Sequence, residues 1–153
     1  MQQRKTIAMD DLVQQMKVAL ASTFAFYLKG HNFHWNVEGP DFMQYHQLFE
    51  MLYTDAWGAV DGLAEHIRAL DAYAPGSFSR FSQLSVVDDQ INIPNAMKMI
   101  RELQLDNDRL KQELRKAQTL AEKAGETGLA NFLQDRIDIH SKHAWMLRAT
   151  LKA

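Results

Sequence analysis

HNFHWNVEGPDFMQYHQLFE, residues 31–50, decides the fold because it contains the end of one helix and the start of the next. Upstream of it, Leu12, Met16, Ala19, Leu20, Phe24, Tyr27 and Leu28 recur at three- and four-residue steps, which predicts an amphipathic helix from Met9 to about Asn36. Gly39-Pro40 breaks the pattern, because a proline removes a backbone donor and turns the residue before it away from helical geometry. Asp41 is placed to cap a second helix running to about Ala72. The result is a helical hairpin. Its turn is flanked by His31, His34, His46, Glu38, Asp41 and Glu50, so metal-ligand chemistry clusters where the chain reverses.

Residues 73–92 carry Pro75 and Gly76 and read as a long crossover, with a short helix expected in SVVDDQI, residues 85–91. Phe78 and Phe81 are expected to tie that crossover onto the helices. A third helix follows Pro94 and runs to about Lys123, with Met99, Ile100, Leu103, Leu110, Leu114 and Leu120 on one side and Gly125 as its stop. A fourth spans about Thr127 to Leu151. Four long helices with short first and third connections and one long middle connection predict an all-α, up-down-down-up four-helix bundle of the ferritin-like kind. With 153 residues, 46% of them apolar, the chain suits one domain over 1–153.

The absence of cysteine rules out disulfides, thiolate catalysis and Cys-based metal sites, and leaves sites built from oxygen and imidazole open. No stretch approaches the roughly 18 consecutive apolar residues of a membrane span, and no apolar run follows the basic residues of the N-terminus, so a cytoplasmic protein is expected. A net charge of -2 gives no electrostatic reason to expect a nucleic-acid partner, and only Arg4, Lys5, Arg148 and Lys152 decorate the two ends.

Placed on a helical wheel with His46 at zero, Glu50 falls near ~40°, Asp61 near ~60° and Glu65 near ~100°. Leu48, Phe49, Leu52, Ala56, Ala59, Val60, Leu63, Ile67 and Leu70 fall between ~200° and ~320°. The polar stripe therefore faces away from its own core. A di-iron bundle points its carboxylates inward and takes its imidazoles from Glu-x-x-His pairs, and this sequence has none. At ~1.5 Å per residue, Asp61 lies ~22 Å along the axis from His46, too far for one first shell. If two copies of this helix pack antiparallel about a two-fold axis near Tyr53 to Trp57, His46 and Glu50 of one face Asp61 and Glu65 of the other. His34, just before the turn, can fold toward His46. Two imidazoles with carboxylates suit Fe(II), Zn(II) or Mn(II) better than Ca(II) or Mg(II). Without metal the carboxylates repel, and at least one pKa should rise.

Taken singly, Asp61 or Glu65 reads as a solvated acid and His34 as a hydrogen-bonded interior histidine. Their joint spacing, with Tyr53 and Trp57 on the same arc, favours a functional interface. His31, His66, His140 and His143 read as surface or interface histidines. Met97 and Met99 read as core filler, and DNDRLKQELRK, residues 106–116, as a solvated helix face with i, i+4 pairs. Asp135 and Asp138 fit either a pore between subunits or ordinary salt bridges.

The run HNFHWNVEGPDF, then YHQLFEMLY, then Asp61-x-x-x-Glu65 followed by HIRAL, together with HSKHAWMLRATL near the end, resembles the Dps family, the mini-ferritins also called DNA-binding proteins from starved cells. The likeness spans essentially the whole chain. It implies a hollow shell of twelve subunits, a dodecamer, that binds Fe(II) at sites shared across a two-fold interface. It further implies ferroxidase activity, oxidising the iron with hydrogen peroxide or dioxygen, and storage of Fe(III) inside under oxidative stress. By position His34, His46, Asp61 and Glu65 match the family's ferroxidase ligands, and Glu50 stands where the family commonly has Asp. Trp35 and Trp57 resemble family aromatics proposed to trap one-electron equivalents. The resemblance also implies DNA binding, usually through flexible Lys-rich extensions, as an alternative main role; here Arg4 and Lys5 are the residues that would serve it. A shell that assembles without oxidising iron is the blander alternative.

Overall fold

The computed structural model describes residues 2–153, with side chains from Thr6 onward, so the side chains of Arg4 and Lys5 lie outside it. Its elements are α1 (Gln2–Asn36), α2 (Phe42–Ala69), α3 (Phe78–Leu84), α4 (Ala96–Lys123) and α5 (Thr127–Leu151). Four of these are long, and side-chain bonds between them give their directions. Gln15 reaches Glu113 and Lys29 reaches Asp106, so α1 and α4 run antiparallel. Asn107 bonds the His140 carbonyl and Gln118 bonds Gln134, which makes α4 and α5 antiparallel. With α1 and α2 joined by a tight turn, α2 and α4 run parallel, and only a long crossover can connect them. The expected up-down-down-up order holds.

The core is the apolar arc of each long helix. Leu12, Met16 and Leu20 of α1, Phe49, Leu52, Leu63 and Ile67 of α2, Met99, Ile100, Leu103, Leu110 and Leu114 of α4, and Leu133 and Leu147 of α5 are all buried. On α1, Phe24 and Tyr27 are half-buried and Leu28 is exposed, because Phe24 and Leu28 face the crossover and Tyr27 lies against Tyr53 and Trp57 of α2 instead of the bundle axis; Leu48, Val60, Leu70 and Leu120 are likewise half-buried at the margins of the core.

Helix ends differ from expectation in ways the sequence explains. α1 begins at Gln2 and not Met9, since QQRKTIA holds no Gly or Pro to stop it. α2 ends at Ala69, where Asp71 adopts φ 62°, rather than at Ala72. Asp41 occupies the cap position of α2 without a side-chain capping bond. The short crossover helix lies at Phe78–Leu84, where Ser77 Oγ accepts from the Arg80 amide, and not at residues 85–91. That later stretch cannot coil: the Val87 amide donates to Ser85 Oγ and the Val86 amide to Ser22 Oγ, which pins it to α1. Phe81 anchors the crossover by stacking on Phe24 at 4.8 Å, while Phe78 is exposed and anchors nothing.

The charge run on α4 is not a uniformly solvated face. Asp106, Asn107 and Glu113 are buried, with Asp106 bound to Lys29 at 2.7 Å and Glu113 to Gln15 at 2.6 Å; its ion pairs Asp106–Arg109 and Glu113–Lys116 are i, i+3. Among the described residues no helix is long and apolar enough to cross a membrane.

Candidate metal centre

The turn at residues 37–41 builds the first half of the site. Gly39 takes φ 122°, a conformation L side chains rarely adopt, and its carbonyl accepts from the Phe42 amide. The chain reverses tightly enough to lay the end of α1 against the start of α2. His34 and His46 then stack with ring centroids 3.7 Å apart and 15° between planes. Each ring bonds the other residue's backbone: His34 Nδ1 donates to the His46 carbonyl at 2.8 Å, and His46 Nδ1 to the His34 carbonyl at 2.7 Å. A carbonyl can only accept, so both Nδ1 atoms carry hydrogen, and in the neutral imidazoles it is the Nε2 atoms that hold the lone pairs. This is how metal-binding imidazoles are oriented, with one nitrogen fixed and the other presented. His34 is buried, His46 half-buried against Phe42, and Glu50 exposed one turn further along α2.

Asp61 and Glu65, the other candidate ligands, lie one turn apart and exposed on α2. Glu65's pKa is raised, first by a hydrogen bond shared with Asp61 and then by the charge of that neighbour. Like-charge crowding of this kind is relieved by a cation. Among the described residues of one chain, no three His, Asp or Glu side chains come together as a metal site. The structure thus unites His34 with His46 and Asp61 with Glu65, and leaves the two pairs apart.

Tyr53 and Trp57, assigned to one interface arc, behave differently. Tyr53 packs within the chain: an added Cβ on Gly30 would sit 3.3 Å from the Tyr53 Cβ, so glycine is what lets α1 approach there. Trp57 touches Tyr27 at 4.9 Å yet remains 57% exposed. His31 is half-buried, stacked on Tyr53 at 3.9 Å. A groove of about 720 Å³ between α1 and the crossover is lined by Leu28, Trp35 and Phe81 among others and contains none of the candidate ligands.

His140 and His143 are a correction. They are buried, and His143 has a carboxylate partner from another helix. Asp55 of α2 accepts two bonds from Arg136 at 2.9 and 2.8 Å and one from His143 Nε2 at 2.9 Å. His140 Nε2 meets Arg136 Nη2 at 3.1 Å and its Nδ1 donates to Asn107 Oδ1 at 2.7 Å. Half-burial pushes Asp55's pKa up, but the His143 and Arg136 hydrogen bonds and charges outweigh it and hold the carboxyl well below the usual range. Burial, then the Arg136 and His143 charges, push His140 well below 6.5. Sequence reasoning missed this network. The available signal was Asp55 itself, a charge near ~180° on the α2 wheel, on the edge facing the bundle.

A family model for the ferritin-like domain matches residues 13–153. The chain is 33% identical over 146 residues to the DNA protection during starvation protein of Brevibacillus brevis, covering 92% of this chain and 97% of that one. It is 31% identical to antigen TpF1 of Treponema pallidum, over 93% of this chain and 81% of the relative. Among solved structures, Dps from Staphylococcus aureus superposes with a TM-score of 0.90 at 31% identity, covering 94% and 97% of the two chains. Dps from Vibrio cholerae, described as one of the ferritin-like diiron-carboxylate proteins, superposes at 0.91 with 29% identity, covering 95% and 92%. The fold and the matching domain model thus define a ferritin-like helical protein. Within that class, the chain belongs to the Dps family.

Proposed function

We propose that this protein takes up Fe(II) at sites shared by two subunits, oxidises it with hydrogen peroxide, and stores the Fe(III) inside a shell of twelve subunits. The observation that carries this reading is the reciprocal lock of His34 and His46, which leaves two Nε2 lone pairs presented and unused. Imidazole nitrogen with hard carboxylate oxygen suits Fe(II), and would also hold Zn(II) or Mn(II). Antiparallel pairing of α2 about a two-fold axis brings Asp61 and Glu65 of the second subunit to the His34–His46 pair of the first, with Glu50 beside them. Trp57, exposed between the two halves, is buried by the same pairing.

Each group has a defined task. His34 and His46 bind the substrate iron and fix its position. Asp61 and Glu65 neutralise the charge that rises as Fe(II) becomes Fe(III), and Glu50 supplies a further oxygen. Two Fe(II) and one peroxide, taking up two protons, give two Fe(III) and two waters, so electrons leave in pairs and hydroxyl radical is avoided. The test is to mix purified protein with Fe(II) and peroxide and to follow Fe(III) formation and iron retained per particle. The double variant Asp61→Ala/Glu65→Ala should lose oxidation while its particle size is unchanged; wild-type kinetics in that variant would reject the assignment.

A second reading, DNA protection, is favoured by α4. Its exposed row carries Lys98, Arg101, Arg109, Arg115, Lys116 and Lys123 against Asp108 and Glu122 only, a basic face hidden by the net charge of -2. Repeated over a shell, weak phosphate contacts add up. Gel shifts that persist at moderate salt and disappear in Arg101→Glu/Arg109→Glu support this role, and no shift even at low salt removes it.

A further inference from the structure

Phe42 is the first residue of α2, and its amide donates to the Gly39 carbonyl, so the turn fixes where its ring can go. Asp41 makes no side-chain capping bond there. Phe42 is half-buried and packs against the bundle core, and its ring also stacks on His46, one turn along, at 4.9 Å with 29° between planes. His34 stacks on the same imidazole at 3.7 Å and 15°. Two rings lying flat on one face of an imidazole would overlap, so His34 covers one face of His46 and Phe42 covers the other. The His46 ring is held on both sides.

We propose that Phe42 is a positioning residue for metal binding: it closes the face of His46 that His34 leaves open, and so keeps the His46 Nε2 aimed at the cation. The inference rests on the shared-site reading above. An imidazole turning about its Cβ–Cγ bond sweeps the space on both sides of its plane. A half-turn would take Nδ1 away from the His34 carbonyl and put a carbon where the Nε2 lone pair had been. With a neighbour on each face that turn is blocked, whereas without Phe42 the Nδ1 hydrogen bond and a single stacked ring oppose it. A ligand already oriented loses less freedom when it binds, which is why contacts behind the ligands of a metal site alter its affinity. His34 is buried and is oriented by its surroundings, while His46 is half-buried and depends on this contact. Core packing alone also explains an apolar residue at position 42, but any side chain of similar bulk would meet that need.

The test separates a flat ring from apolar bulk. Phe42→Leu, with Phe42→Met as a second case, keeps bulk against the core and removes the flat face, whereas Phe42→Tyr keeps both. Metal-free protein is titrated with Co(II), whose visible bands report nitrogen and oxygen ligands. Wild type and Phe42→Tyr should bind it alike, and Phe42→Leu and Phe42→Met about tenfold more weakly at unchanged particle size, the lower end of what loss of an orienting contact costs a metal site. Without metal, nitrogen-15 solid-state NMR of labelled histidine should show one ring state for His46 in wild type and Phe42→Tyr, and more than one in the other two. Co(II) affinity equal to wild type in Phe42→Leu or Phe42→Met, a single His46 state in them, or Phe42→Tyr as weak as they are overturns the inference and leaves the metal site standing. No Co(II) bound by wild type overturns the shared-site reading and the inference with it.

Discussion

Shells assembled from equal amounts of His46→Ala and Asp61→Ala subunits should recover Fe(II) oxidation that neither variant has alone. The reason is a length. His46 and Asp61 both lie on α2, and at ~1.5 Å per residue they are ~22 Å apart along its axis, while a metal ligand must come within ~2 Å. No rotamer closes that distance, so a cation held by both must be held between two copies. Each two-fold pair then contains two sites. In a mixed pair one site receives both alanines and the other receives neither. Random mixing makes about half of the pairs mixed, each with one of its two sites intact, so about a quarter of wild-type activity per subunit should return. The variants are unfolded together, refolded, and checked by mass spectrometry for mixed particles; initial rates of Fe(III) formation with peroxide are then compared. No recovery in particles proven to be mixed refutes shared ligation. So does substantial activity in either pure variant.

Asp55→Asn should cost about 3 kcal/mol, the scale for breaking a largely buried ion pair, because the amide keeps one accepting oxygen but loses the charge and turns an NH2 donor toward Arg136 or His143. At fixed protomer concentration that lowers Tm by roughly 6–12 °C, and a fall under ~2 °C would show that the network contributes nothing net. Because Asp55's pKa is depressed in the fold, its contribution is complete above the unfolded value of about 3.9 and fades as pH falls through the lower folded value, so the gap between variant and wild type should close only in strong acid. His140 is also depressed: it stays neutral when folded and protonates when unfolded, so stability should fall below pH 6.5 by up to about 1.4 kcal/mol per pH unit. Guanidinium midpoints that fall equally in wild type and His140→Gln between neutral and mildly acidic pH would assign that loss elsewhere. In metal-free Asp61→Asn, Glu65 should titrate at lower pH than in wild type, read by NMR of the labelled carboxyl; an unchanged titration would mean the two acids do not interact.

The long helices were legible because their apolar residues keep helical spacing without a gap, and the hairpin turn because Gly39-Pro40 is flanked by two such runs. The outward stripe on α2 was legible for the same reason: its angles follow from spacing alone. Three features were not. The short helix depends on Ser77 capping Arg80, on Ser85 turning back to bind the Val87 amide, and on Ser22 of α1 holding the Val86 amide, and the last of these is a contact between segments distant in sequence. The lock between His34 and His46 depends on where two carbonyls point after the chain has turned. The burial of Asp106, Glu113, His140 and His143 depends on partners three helices supply together, so a charged residue that reads as solvated in one helix is an interior group in the bundle.

That interior also explains why the candidate ligands face outward. A bundle that holds metal inside needs carboxylates and imidazoles converging on its axis with lone pairs to spare. Here both Asp55 oxygens are engaged by Arg136, one of them also by His143, and both His140 nitrogens are engaged by Arg136 and Asn107. The buried Arg136 guanidinium is a permanent cation, and a divalent ion brought to the same place would meet repulsion in a poorly screening medium. His34 and His46 reverse these conditions, since their Nε2 atoms are presented and the acids proposed to join them are exposed and mutually repelling. Stability and metal chemistry are therefore assigned to opposite edges of α2, and two substitutions should separate them. Asp55→Asn should lower Tm and still oxidise Fe(II) below the new transition, whereas Asp61→Asn should abolish oxidation with Tm held. If Asp55→Asn instead stopped iron oxidation in fully folded particles, the reacting centre would lie inside the bundle and the outward assignment would be wrong.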